Sequence, residues 1–71
     1  MRKYLVVFEK TKTGFSAYVP DLPGCIATGK NRADVEKRIH DAIQFHLEGL
    51  KELNQKIPRA NAEGAFLFVN P

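Results

Sequence analysis

The sequence has only one cysteine and no long hydrophobic run, and each of these shortages excludes a class of protein. A single cysteine, Cys25, excludes an internal disulfide, and together with two histidines it falls short of a structural zinc set. The apolar run Tyr4–Phe8 is far too short for a signal peptide or a membrane span. We therefore expect a cytoplasmic protein with no membrane contact, no metal site and no cofactor.

The charged residues do not form a run of one sign. Eleven Lys and Arg residues are interspersed with eight Asp and Glu residues, which leaves a net charge of +3. This pattern is typical of a solvated surface of mixed charge, so any nucleic-acid binding is expected to be weak or indirect. Basic residues near a predicted helix start nevertheless keep nucleic-acid binding open as an alternative: Lys30, Arg32, Lys37 and Arg38.

The length of 71 residues predicts one domain that spans the whole chain. A domain of this size buries only about 60% of the surface that its unfolded chain exposes, so its stability should be low. Because disulfides and a structural metal are excluded, oligomerisation is the remaining support. We expect a homodimer or a homotetramer.

Three short strands are predicted in the first part of the chain. The first, from about Lys3 to Lys10, is rich in β-branched and aromatic residues. Polar residues ending in Gly14 connect it to Phe15–Val19 in a β-hairpin. A third strand, Cys25–Thr28, is expected to lie antiparallel to the second.

The stretch Tyr18–Cys25 connects the second and third strands and contains two prolines and a glycine. Each proline fixes its own φ, and Gly24 can adopt the positive φ that a tight turn often requires. Asp21 is expected to accept hydrogen bonds from backbone N–H groups further round the turn. The stretch therefore predicts a rigid connection. The requirements of a turn explain its other residues but do not explain why residue 22 is an apolar leucine.

A long amphipathic helix is predicted after the third strand. Asn31 is a favourable N-cap, and Asp34 lies where a capping-box acid interacts with it. Pro58 restricts the residue before it, so the helix should end by about Gln55. Its apolar residues follow a 3.6-residue spacing on one face: Val35, Ile39, Ala42, Ile43, His46, Leu50 and Leu53.

The segment Ala65–Val69 is apolar and reads as a fourth strand. The element order is then β-β-β-α-β, an α+β fold. A right-handed crossover would place the fourth strand beside the first and give a sheet order of 3-2-1-4. One helix covers one face of such a sheet, and the pattern does not determine which face. The other face, which is also apolar, is expected to be an interface.

Two groups of candidate interface residues follow from this arrangement. The predicted helix is longer than its sheet, and Gly49 near the overhang suggests a bend or a close contact with another backbone. We expect its surroundings to form the oligomer interface: Phe45, His46, Gly49 and Leu50. For a protein partner we expect contacts with the fourth strand and the turn: Phe66, Leu67, Phe68 and Leu22.

The residues do not suggest catalysis. The β-β-β-α-β order begins a ribonuclease H-like fold, whose chemistry requires clustered carboxylates to hold divalent metals, but the run Tyr4–Phe8 contains none. His40 and His46 are six residues apart on a helix and cannot share a metal. Cys25 is interpreted as a small buried hydrophobic residue. We therefore expect that the protein is not an enzyme.

The run Gly14–Cys25, with Pro-Asp-Leu-Pro-Gly-Cys between the second and third strands, is followed by Gly29 and a capped helix. This pattern resembles the N-terminal domain of HicB-family antitoxins over about Lys3 to Leu50. The resemblance implies a partial ribonuclease H-like fold without catalytic carboxylates, and a role in neutralising a small HicA-type messenger-RNA interferase. Because the sequence stops at Pro71, the additional C-terminal DNA-binding domain of many members is not expected. The alternative is a stand-alone oligomeric module that binds nucleic acid or has a regulatory role without a cognate toxin.

Overall fold

The computed structural model describes all 71 residues and shows three antiparallel strands followed by one long helix. The strands are β1 (Val7–Lys10), β2 (Phe15–Tyr18) and β3 (Ile26–Gly29), and the helix is α1 (Arg32–Glu52). β2 lies at the centre of the sheet between β1 and β3. The α+β class and the order of the first three strands agree with the sequence-based prediction.

The pairing register separates the two faces of the sheet. Ala17 pairs with Phe8 on one side and with Ala27 on the other, and this row packs in the core beneath α1. Residues one position away point to the opposite face, because side chains alternate along a strand. The helix therefore covers the face that carries Ala17 and Val19, which the sequence pattern had left undetermined.

The core is small and is concentrated at one end of the helix. Leu22 and Val35 are fully buried and Ile39 is nearly so. Since α1 has 21 residues, it extends for about 32 Å, whereas a four-residue strand spans only about 13 Å. The second half of the helix therefore extends beyond the sheet, as predicted. Six residues form the buried cluster: Ala17, Val19, Leu22, Cys25, Val35 and Ile39.

The predicted helix start is confirmed in atomic detail. The side-chain oxygen of Asn31 accepts a hydrogen bond from the backbone N–H of Asp34 at 2.9 Å, and its amide donates to the Asp34 carboxylate at 3.1 Å. One of the otherwise unpaired N–H groups of the first turn is thereby satisfied. At the other end α1 stops at Glu52, three residues before the predicted limit, and Asn54 follows with a φ of 56°.

The connection between β2 and β3 consists of two consecutive turns. The N–H of Leu22 donates to the carbonyl of Val19 at 3.0 Å, and the N–H of Cys25 donates to the carbonyl of Leu22 at 3.0 Å. The second turn has Pro23 followed by Gly24 with a φ of 82°, which is the arrangement of a type II turn. The expected rigid connection is therefore present, and its shape depends on the glycine.

The prediction of a fourth strand is wrong for the single chain. Ala65–Val69 forms no strand, so the sheet contains only the 3-2-1 part of the predicted 3-2-1-4 order. The apolar composition of this segment favours a strand, but a strand also needs a neighbour for its N–H and C=O groups. The segment instead has no pairing partner, and its large apolar side chains are almost completely exposed.

Candidate partner-binding surface

The segment that follows the helix, which we call the connector (residues 57–64), is attached to the β2–β3 turn through Asp21. One carboxylate oxygen of Asp21 accepts hydrogen bonds from the N–H groups of Asn61 at 3.0 Å and of Ala62 at 2.9 Å. Hydrogen bonds to a charged acceptor are stronger than those between neutral groups. The expectation that Asp21 caps its own turn is therefore wrong, since its partners lie 40 and 41 residues further along the chain.

The connector is also attached to the start of the chain. The hydroxyl of Tyr4 donates a hydrogen bond to the carbonyl of Pro58 at 2.6 Å. Further on, the backbone of Gly64 lies against Leu5, whose Cδ2 would be 3.5 Å from a Cβ built on that glycine. These contacts and the two at Asp21 hold the connector over most of its length. Its path across the module is therefore defined by the structure.

The last apolar segment, Ala65–Val69, which we call the C-terminal arm, has no such attachment. Phe66 and Phe68 are fully exposed, and Leu67 and Val69 are each 82% exposed. Four consecutive large apolar side chains in water are unusual for a stable surface and typically mark an interaction site. The three arm residues expected to contact a partner are therefore accessible, and their role in binding stays a prediction.

Leu22, the fourth residue expected to contact a partner, is buried. Its side chain has 0% exposure and lies in the core with Val35 and Ile39. The two turns around it direct the side chain inward, beneath the helix. Leu22 therefore stabilises the fold, and the prediction that it contacts a partner is wrong. Its apolar character, which turn chemistry did not explain, is explained by the core.

The face of the sheet opposite α1 carries an apolar row that the candidate residues did not include. Val7 pairs with Tyr18, and Tyr18 pairs with Ile26, so the three residues lie side by side across the strands. Tyr18 is 40% exposed and Ile26 is 66% exposed. We call this row the open sheet face. The alternation of strand residues could have identified it once Ala17 and Val19 were assigned to the core.

A groove of about 780 Å³ lies between the first part of the chain and α1. It runs along the outer edge of β1, which has no strand beside it. Arg32, at its rim, places its guanidinium 3.6 Å from the centre of the Phe8 ring and forms an ion pair with Glu36. The apolar lining comes from the β1 region, the helix and one connector residue, Ala62; its larger side chains are Tyr4, Val6, Phe8, Ile39, Ile43 and Leu47.

The second half of α1 carries the residues expected at an oligomer interface. Phe45 is 80% exposed, whereas His46 and Leu50 are half-buried. A Cβ built on Gly49 would meet no atom within 4 Å, so no other part of the chain approaches this glycine. The close contact expected at Gly49 is therefore absent within one chain. Contact with a second copy at these residues stays a prediction.

The structure brings together no group of three or more His, Cys, Asp or Glu side chains that could hold a metal ion. Cys25 is buried in the core, and this burial raises the pKa of its thiol above the ordinary value. The thiol is therefore a weak nucleophile near neutral pH, because the thiolate is the reactive form. The structure contains no helix with both the length and the apolar character needed to cross a membrane.

The sheet, the capped helix and the two-turn connection define a small α+β module with exposed apolar surfaces. Residues 4–66 match the family described as HicB_like antitoxin of bacterial toxin-antitoxin system. The chain therefore belongs to the HicB-like antitoxin family, which confirms the resemblance seen in the sequence.

Two relatives illustrate the range of the similarity. The chain is 44% identical over 62 residues to a UPF0150 protein of Thermoplasma acidophilum, covering 86% of this chain and 90% of that protein. It is 34% identical over 58 residues to an uncharacterized 14.9 kDa protein of Haemophilus phage HP1. That match covers 82% of this chain but only 44% of the phage protein, so the module also occurs within a longer chain.

The fold is similar to that of a chain in a solved structure described as a HicA3 and HicB3 toxin-antitoxin complex. The TM-score is 0.71 at 32% sequence identity, and the match covers 84% of this chain and 70% of the other. The arrangement of three antiparallel strands and one long helix is therefore shared with a protein solved in a toxin-antitoxin complex.

Proposed function

We propose that this protein is a non-catalytic antitoxin module that binds and neutralises a small HicA-type toxin with messenger-RNA interferase activity. The observation that carries the proposal is the similarity to a chain of a HicA3 and HicB3 complex over 84% of this sequence, at 32% identity. Family membership over residues 4–66 supports the same role.

The open sheet face is the surface that fits this role best. It presents Val7, Tyr18 and Ile26 as a continuous row on a sheet whose other face is covered by α1. The backbone of this row is fixed by strand pairing, so binding would order little of the chain. Preorganised surfaces of this kind bind with a smaller entropic cost than flexible ones.

The proposed mechanism is steric and needs no chemistry from this chain. A toxin held against the sheet would be unable to bring its own active surface to RNA. Aromatic residues near the centre of an interface commonly carry much of the binding energy, and Tyr18 lies in the middle of the row. Neutralisation would then depend on the affinity of this contact.

The test is co-expression with the small open reading frame that neighbours the gene. The toxin candidate, induced alone, should stop growth, and the wild-type protein should restore growth and co-purify with it. Ile26→Asp places a charge beside Tyr18 on the open sheet face and should weaken binding about tenfold or more, because an unpaired charge buried in an interface costs more than the roughly 1.4 kcal/mol that corresponds to a factor of ten.

The matched control is Phe45→Asp, which also replaces an exposed apolar residue by aspartate but lies on α1. This variant should still restore growth. Circular dichroism of both variants would show whether the helix content is retained. The absence of rescue and of co-purification with the wild-type protein would contradict the proposal, and equal rescue by both variants would exclude the open sheet face as the contact.

A further inference from the structure

We propose that the C-terminal arm is an exchanged strand, which leaves its own chain and pairs with the outer edge of β1 in a second copy. The two copies would exchange arms reciprocally about a two-fold axis. Each sheet would then gain a fourth strand from its neighbour. This inference does not depend on whether a toxin is bound.

The first argument is the mismatch between the arm and its surroundings. The arm is a run of Ala, Phe, Leu, Phe and Val, which favours a strand, yet it pairs with nothing and is almost completely exposed. The unpaired N–H and C=O groups of a strand-forming segment can form hydrogen bonds with an unpaired edge strand of a sheet. The chain therefore carries an unmatched strand.

The second argument is that the same chain carries an unmatched edge. β1 pairs only with β2, so its outer edge offers free N–H and C=O groups. Beneath this edge lies the apolar groove of about 780 Å³ between β1 and α1. A strand added here would satisfy the edge and place alternate side chains in the groove. The module therefore has a receiving site of the kind that the arm requires.

The third argument is the fixed path of the connector. The hydrogen bonds to Asp21 hold Asn61 and Ala62, and Gly64 lies against Leu5 at the start of the first strand region. The arm begins at the next residue and is exposed from there on. The contacts that stabilise the connector thus hold the chain up to the start of the arm, whereas the arm itself is left exposed and unpaired and is available to another chain.

The area involved is that of a stable dimer. A buried phenylalanine removes about 150–250 Å² from water, and each arm carries two. Two arms therefore remove about 600–1,000 Å² through their phenylalanines alone, and the receiving grooves lose a comparable area. The total lies near the 1,200–2,000 Å² of a standard protein interface. Because each copy gives and receives the same element, the assembly closes as a pair.

The first experiment compares masses by sedimentation equilibrium at micromolar concentration. The wild-type protein should contain at least two chains of 8.0 kDa each. The double variant Phe66→Asp, Phe68→Asp should have half the wild-type mass or less, while Ile26→Asp, which changes an exposed apolar residue on β3 at the opposite edge of the sheet, should keep at least two chains. Since the arm makes no contact with the core, the double variant should retain its helical circular dichroism.

The second experiment identifies the chain that each arm contacts. A sample mixed from isotope-labelled and unlabelled protein gives isotope-filtered NOEs only between different copies. We expect NOEs from arm side chains of one copy to the methyl groups of Val6, Ile39 and Ile43 in the other. A monomeric wild-type protein, an arm variant with unchanged mass, or arm NOEs found only within one chain would each overturn the proposal.

Discussion

Two leucines of this chain, Leu22 and Leu67, have the same side chain and opposite environments. Leu22 lies in a turn of fixed shape and is fully buried, whereas Leu67 lies in the C-terminal arm and is 82% exposed. Leu22 is held by backbone hydrogen bonds to Val19 and Cys25 on either side of it. Because the two side chains are identical, their different exposure must come from the backbone. In a domain this small, a leucine is buried where the local backbone is fixed over the core.

The largest effect is expected from removing the buried leucine. Leu22→Ala should reduce the free energy of unfolding by about 2–5 kcal/mol, because it removes apolar contacts and leaves a cavity. Chemical denaturation followed by circular dichroism measures this loss. Leu53→Ala, the same change at a residue that is 69% exposed, should cost about 0.5 kcal/mol or less. Equal losses in the two variants would contradict the assignment of Leu22 to the core.

A smaller loss in the free energy of unfolding is expected from removing Asp21, the turn residue that binds the connector. Asp21→Ala removes the acceptor for the N–H groups of Asn61 and Ala62 and should cost about 1–3 kcal/mol. Hydrogen exchange should become faster at these two amides, while the amides of Leu22 and Cys25 should change little because their acceptors are backbone carbonyls. Unchanged protection of Asn61 and Ala62 would show that Asp21 does not hold the connector.

The shape of the turn itself can be tested at a glycine. Gly24→Ala should destabilise the protein by about 1–2 kcal/mol, because alanine is strained at a φ of 82° even though no atom lies within 4 Å of the new Cβ. Gly49→Ala is the matched control, since it has equal space but lies inside α1. There the change should stabilise by about 0.5–1 kcal/mol. Thermal unfolding should therefore shift in opposite directions.

The smallest effect concerns the helix that covers Leu22. Asn31→Ala removes the N-cap and should cost about 1 kcal/mol, whereas Asn31→Ser retains a capping oxygen and should cost less. Denaturation midpoints of the two variants measure the difference. A loss as large for serine as for alanine would indicate that the side chain of Asn31 acts through some contact other than the cap.

Features set by local chemistry could be predicted from the sequence. The Asn31 cap depends on a residue three positions away, and the type II turn depends on the Pro23-Gly24 pair. The strand pattern likewise predicted the hairpin and the order of the first three strands. In each case the interacting residues are close in sequence, so composition and spacing contain the information.

Features that depend on distant partners could not be predicted in the same way. The acceptor role of Asp21 involves residues 40 and 41 positions away, and nothing in the intervening sequence identifies them. The arm has the composition of a strand, but composition does not state which edge will pair with it. Leu22 was predicted to contact a protein partner because its position beneath the helix depends on tertiary packing, which the local sequence does not reveal.

The absence of tryptophan gives the two tyrosines of this chain an unusual spectroscopic value. Tyr4 donates its hydroxyl to the connector at Pro58, whereas Tyr18 lies on the open sheet face. The intrinsic fluorescence of the protein therefore comes from two rings that occupy two separate surfaces. In the variant Tyr4→Phe, the remaining tyrosine fluorescence would report only on the open sheet face. In the variant Tyr18→Phe, it would report only on the attachment of the connector. Changes at either surface could therefore be followed without an added label.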